Sequence, residues 1–257
     1  MSRQNTVPNS DNPTENVSAL IPIWDMFNHR SGRLSTEFVK SSNSCVCYAD
    51  GDFAAEDQVF IFYGVRTNAD FLVHNGFVYP DNEHDAVKIR LGVSRSDPLY
   101  SLRHRLLQTL SLSALAEFFI TPGPFPIDGK LLAFVRIFNM DQNGLDDTCH
   151  VLQFNNAVSV ISCLSETLKD WIQMEENLCL NLTLVDGTLD PALETKCWEF
   201  LQVRINLLIK QYPTPSENVD NLSKFQQLAH TQIQLELDIL KNALEYVKQH
   251  LDIMLKS

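Results

Sequence analysis

A chain of 257 residues with 44% hydrophobic and 20% charged residues can bury the core of one or two domains. Its formal net charge of −12 and isoelectric point near 4.9 argue against a nucleic-acid-binding surface, which needs clustered Lys and Arg. The first twenty residues lack the apolar core of a secretory signal and no apolar run reaches the length of a membrane span, so an intracellular protein without a membrane partner is expected.

In chain order, the first dense segment is "IPIWDMFNHRSG", residues 21 to 32. A strand ending in a polar turn accounts for Ile21, Ile23 and Gly32, but not for Trp24-Asp25 followed at once by Asn28-His29. Short β-like segments come next: "SCVCYA" (44 to 49), "QVFIFYG" (58 to 64) and "AVKIRLGV" (86 to 93), separated by Asp, Gly and Asn turns. The middle one opens "VFIFYGVRTNADFLVHNGFVYPDN" (59 to 82), in which Tyr63 ends a strand, Gly64 permits a turn, and Arg66, Asn68 and "HNGF" (74 to 77) follow on a short helix and loop. A lone Tyr at a strand end is usually structural, with its hydroxyl on a backbone carbonyl.

Beyond residue 93 the apolar spacing becomes helical. "DPLYSLRHRLLQTL" places Asp97 as a cap and Pro98 at the first helical position. A Pro-rich loop, "TPGPFPIDG", precedes "KLLAFVRIFNM", and "DPALETKCWEFLQVRINLLIKQY" again opens with Asp-Pro. In the last helix Ile233, Leu237, Leu240, Leu244, Val247, Leu251 and Met254 recur at spacings of four and three. A seam this short is expected to pack on its own domain rather than to dimerise the protein, so a monomer is expected.

Six Cys, at 45, 47, 149, 163, 179 and 197, are scattered in a chain that does not need disulfides and are read as free thiols. Cys45 and Cys47 share a strand face, but no second ligand pair follows at zinc spacing, so no metal is expected. The nine glycines include no two separated by a single residue, which excludes a G-x-G loop and with it a Rossmann fingerprint. A nucleotide-like cofactor must be held in another way.

An Asn-His pair after an aliphatic strand, followed some 35 residues later by a strand ending Tyr-Gly, resembles the two C-terminal motifs of SET-domain methyltransferases. In that family the two segments cross in a pseudoknot around S-adenosylmethionine. The helical part resembles the substrate-binding domain of the Rubisco-methyltransferase-like branch. "SRQN", "ALIPIWDMFNH", "IFYGVRTNADF", "HNGF", "HDAVKIRLGVSRSDPLY" and "LLAFVRIF" are most similar to the members that methylate a histidine of actin. The likeness is dense to about residue 138 and compositional beyond.

This resemblance implies an α+β fold, with the C-terminal half of a SET domain at 1–92 and an all-helical substrate-binding domain at 93–257. It implies S-adenosylmethionine as cofactor, contacted by Arg3, by the segment Asp25, Met26, Phe27, Asn28 and His29, and by Asn75, Gly76 and Phe77. Trp24, Asp25, Ile61, Tyr63 and Arg66 fall where a substrate peptide lies, and Asn5 and Tyr63 where the acceptor side chain is oriented. The implied substrate is a protein, actin, and the implied location the cytoplasm, with the nucleus as a second compartment. Phe27 departs from the family, which has a small residue there. The N-terminal strands of a SET domain, with their Gly-containing cofactor loop, find no match, so the chain is expected to be an incomplete form that transfers no methyl group alone.

The acceptor turns on Asn5. With a reference pKa near 10.4, about one lysine in 2,500 is neutral at pH 7, so a lysine needs help in losing its proton. Histidine is mostly neutral and needs only the right tautomer and ring orientation. By the resemblance, the Asn5 amide faces the nitrogen to be methylated, and the Asp25 carbonyl accepts from the other. Lysine-modifying relatives carry an aromatic in place of Asn5. Lysine methylation on the same scaffold, and a non-catalytic actin- or peptide-binding module, stay open as alternatives.

Overall fold

The computed structural model describes residues 5–9, 12, 14–34, 36–49, 51–149, 181–185, 189–214, 221–254 and 256. They divide into one unit of Met1–Asp85 with Ser216–Ile233, and a second of Ala86–Pro215 with Gln234–Ser257. The boundary expected after residue 92 falls inside the second unit, at the end of its first strand.

In the first unit, strands are short because turn-forming residues recur every few positions. β1 (Asn5–Pro8) pairs antiparallel with β2 (Asn16–Ala19), placing Asn5 opposite Ala19. β3 (Asn28–His29) runs parallel to β6 (Phe60–Ile61), and the chain between them folds as the hairpin β4 (Thr36–Val39) and β5 (Ser44–Cys47). The 58–64 segment, expected to be one strand, pairs only at Phe60 and Ile61, because the backbone then turns at Gly64 with φ +89°. α1 (Asn68–Asp70) opens with a reciprocal cap. The Thr67 hydroxyl accepts from the Asp70 N–H at 3.2 Å, and the Asp70 carboxylate accepts from the Thr67 N–H at 3.3 Å. It continues as a π-helical turn, Phe71–Asn75, closed by the Gly76 N–H donating to the Phe71 carbonyl at 2.8 Å. Gly76 takes φ +77°, the left-handed conformation that ends such a turn.

The second unit begins with β7 (Val87–Gly92), antiparallel to β8 (Leu115–Ile120). β8 is a strand inside the part read as wholly helical. Its segment "LAEFFI" alternates Phe118 and Ile120 inward with Leu115, Glu117 and Phe119 outward, the period of a half-buried strand. Between them lies α2 (Tyr100–Thr109), which starts later than expected. Asp97 caps the preceding turn instead, its carboxylate accepting from the Leu99 N–H at 2.8 Å.

α3 (Gly129–Asn139) is capped by Asp128, whose carboxylate accepts from the Leu131 N–H at 2.7 Å. A Cβ at Gly129 would run into the Thr183 carbonyl, so this approach requires glycine. Residues Leu131 to Ile137 of α3 are all buried, and the one charge among them is matched. Arg136 donates from Nε to Glu194 at 2.8 Å and from Nη1 to the carbonyls of Asn181, Leu182 and Leu184. Both side chains are at most 1% exposed, and removing one partner of such a pair costs about 3–5 kcal/mol.

Glu194 lies in α4 (Pro191–Ile209), with Asp190 at its cap and Pro191 at the first position, as its Asp-Pro opening predicts. The last helix is α5 (Lys224–Met254). Leu240, Val247 and Leu251 are buried in the unit's core, and Leu244 and Met254 pack against it, so the seam is used within the chain. Cys45, Cys47, Cys149 and Cys197 are free, and burial pushes the Cys197 thiol up to about 12, which makes it inert. Cys163 and Cys179 lie outside the described residues.

Candidate functional site

The segment after β2 makes a tight turn and then a short 3-10 helix, Trp24–Met26. The Trp24 N–H donates to the Pro22 carbonyl at 2.8 Å, across Ile23 at φ +70° and ψ −53°. This is a γ-turn of the rare positive-φ form, centred on a β-branched residue. Ile23 and Met26 point outward at 73% and 79% exposure, while Trp24 and Asp25 are half-buried.

Asp25 is held at both carboxylate oxygens. Oδ1 accepts from the Asn5 amide nitrogen at 2.6 Å, and Oδ2 accepts from the Ile21 N–H at 2.8 Å. The Asp25 carboxylate is therefore the partner of the Asn5 amide.

One turn further on, His29 is paired with Ile61 and encircled by rings. Tyr63, Phe71 and Tyr79 have centroids at 5.2, 4.7 and 5.3 Å, with Phe62 and Phe77 next. Burial lowers the His29 pKa, opposed by a hydrogen bond at the Ile61 backbone and aided by Arg66 and His84, so the imidazole is neutral. Its Nδ1 accepts from the Tyr63 N–H at 3.3 Å. Tyr63 returns to the same segment through its hydroxyl, which donates to the Phe27 carbonyl at 2.6 Å.

The third wall is α1 with its π-helical turn. Buried Asn68 gives its backbone N–H and its amide to the two oxygens of Asp85, each at 2.8 Å, and accepts from the Tyr79 N–H at 2.9 Å. Asn82 donates to the Arg66 carbonyl at 2.8 Å. So fastened, the loop presents Arg66, whose Nη1 donates to the Asn75 side chain at 3.2 Å.

These walls enclose a cavity of about 500 Å³ within the first unit. Asn5, Trp24, Asp25, Ile61, Tyr63 and Arg66, the residues expected to meet a substrate, all line it, as does Asn75. Met26, Phe27, Asn28, His29, Gly76 and Phe77 lie outside its lining: Asn28 is exposed, Phe77 stacks on Phe71 at 4.9 Å, and His29 supports Tyr63 from behind. Arg3 lies outside the described residues. Leu34, Thr36, Asp70 and His74 also line the cavity and were given no site role from the sequence, although Asp70 and His74 lie within quoted motifs. Asp70 and His74 could have been found by their helical spacing of four, which Leu34 and Thr36 lack.

Residues 94–253 match the family model described as Rubisco LSMT substrate-binding. The chain belongs to this Rubisco LSMT substrate-binding family. The chain's fold is shared with a solved structure of Rubisco LSMT bound to AdoMet, at a TM-score of 0.68 and 16% identity over 92% of this chain and 51% of the other. It is shared as well with the SET domain of LSMT bound to lysine and AdoHcy, at a TM-score of 0.65, 17% identity and the same coverage. Among sequences, the chain is 36% identical over 248 residues to the actin-histidine N-methyltransferase of Danio rerio, covering 96% of this chain and 38% of that one. The Drosophila melanogaster protein of the same name is 34% identical over 262 residues, covering 97% and 44%. The chain thus spans about two fifths of the length of these relatives.

Proposed function

We propose that this chain carries the acceptor-binding part of an S-adenosylmethionine-dependent protein methyltransferase whose target is a histidine of actin, acting as a monomer in the cytoplasm. The observation that carries this reading is the convergence of Asn5, Trp24, Asp25, Tyr63 and Arg66 on one cavity. The relatives' shared name supports the choice of actin.

S-adenosylmethionine, when bound, supplies an electrophilic methyl group on a sulfonium. The residues present fit such a group: Asn28 has an exposed amide for polar contacts, and Phe77, half-buried on Phe71, offers an apolar ring face beside the left-handed Gly76 turn. Asn28, His29, Asn75, Gly76 and Phe77 would hold it. The acceptor imidazole would be confined by the Trp24 and Tyr63 rings and oriented by the Asn5 amide, which keeps its neutral nitrogen aimed at the reacting carbon. Nothing in this arrangement needs a strong base, because histidine near pH 7 is already neutral, whereas a lysine would need one. That difference favours histidine over the lysine alternative.

The test is methyl transfer to actin, read by mass spectrometry of the modified peptide. It compares the chain alone with a chimera that adds the part of the Danio rerio relative lying outside the match. Histidine-methylated actin from the chimera is the expected result. Modification of lysine instead would establish the first alternative, and actin binding without transfer the non-catalytic one.

A further inference from the structure

We propose that the Asp25 carboxylate is a positioning residue that fixes the orientation of the Asn5 amide and through it the choice of acceptor. This deepens the reading above and rests on it. An ionised carboxylate only accepts hydrogen bonds, so the end of the Asn5 side chain facing Asp25 Oδ1 at 2.6 Å is its nitrogen. The bond is charge-assisted and short, the stronger class of side-chain hydrogen bond. Asp25 cannot turn away to release it. Its other oxygen holds the Ile21 N–H, and its own N–H donates to the Ile21 carbonyl at 3.0 Å.

An asparagine free to rotate about its last bond offers either end to a ligand. One pinned at its nitrogen offers a fixed pattern, the oxygen and the second N–H in set places. A neutral imidazole has one donor and one acceptor nitrogen fixed in a rigid ring and is sensitive to that pattern, while a lysine amine that has lost its proton turns freely on its alkyl chain and is not. The Asp25 clamp therefore carries discrimination that the Asn5 side chain alone does not have.

The variant D25N inverts the clamp without changing its shape. The Ile21 N–H still requires an oxygen, so the introduced amide turns its nitrogen to Asn5, which must answer with its own oxygen. Two measurements follow. In the chain itself, the side-chain amide signals of Asn5, assigned by their loss in N5A, should lose their carboxylate-bonded proton shift in D25N. Unmoved signals would overturn the proposal. In the chimera, the ratio of kcat/KM on an actin peptide to that on the same peptide with Lys for the target His should fall at least tenfold in D25N. The double variant N5A/D25N should show the ratio of N5A alone. Equal loss on both peptides, with wild-type transfer intact, would overturn the selectivity claim alone. No transfer by the wild-type chimera would overturn the functional reading and this inference together.

Discussion

The Tyr63 backbone N–H donates to Nδ1 of His29, which makes a neutral imidazole part of the wall behind the cavity. Protonation of that ring would replace an acceptor with a donor and place a charge among Phe71, Tyr63 and Tyr79, with Arg66 and His84 adding repulsion. The folded-state pKa is lowered by burial, so the unfolded chain binds the proton more readily. The contribution of His29 to stability is then fully present above the ordinary value of about 6.5 and is lost as pH falls from there toward the folded value. Thermal midpoints measured from pH 7.5 to 5.5 should fall more steeply for wild type than for His29→Gln, which keeps an acceptor but does not titrate. Parallel curves would mean that the ring is solvated in either charge state.

Ile23 sits at φ +70° with its side chain 73% exposed, so the strain of the γ-turn is not compensated by burial of that side chain. Such conformations cost of order 1–3 kcal/mol in a non-glycine residue, and glycine gives back about 0.5–1 kcal/mol through its unfolded-state entropy. Ile23→Gly is expected to stabilise the chain by about 1 kcal/mol, read from the urea midpoint at unchanged slope. A loss of stability would show that the Ile23 side chain contributes packing.

Asn68 and Asp85 fasten the loop that carries Arg66 and Asn75. Asn68→Ala would leave the Tyr79 N–H without its side-chain acceptor and take one hydrogen bond from buried Asp85. Unmet buried polar groups cost about 1–3 kcal/mol each, so a loss of roughly 2–4 kcal/mol is expected. Hydrogen exchange of residues 66–85 should rise with it. A change below about 0.5 kcal/mol, the size of an ordinary surface substitution, would mean that water replaces the amide.

The second unit was legible wherever one pattern governed a segment. The Asp-Pro opening of α4, the apolar run of α3 and the seam of α5 follow from local chemistry. β8 escaped notice because its apolar residues, Leu115, Phe118, Phe119 and Ile120, occur on both faces, blurring the period of two. In the first unit the pairing of β3 with β6 joins residues about thirty apart with two positions each, which no local rule reaches. The cavity residues came from motif resemblance rather than periodicity. The Asn5–Asp25 bond was hidden because it depends on a side chain at the end of one hairpin meeting a turn set by Ile23.

Tyr63 places its ring on the cavity and its hydroxyl on the Phe27 carbonyl at 2.6 Å. The hydroxyl proton is thus given to the backbone. Tyr63→Phe keeps the ring and removes the oxygen, at a stability cost of about 1 kcal/mol for one hydrogen bond. If the oxygen matters in the transition state, kcat should fall about tenfold or more in the methyl-transferring chimera while KM for the peptide holds. Tyr63→Ala also deletes the ring that confines the acceptor, so KM should then rise as well. The contrast between the two variants separates the roles: a Tyr63→Phe enzyme with normal kcat would reduce the hydroxyl to a tie between the segment after β6 and the Phe27 turn.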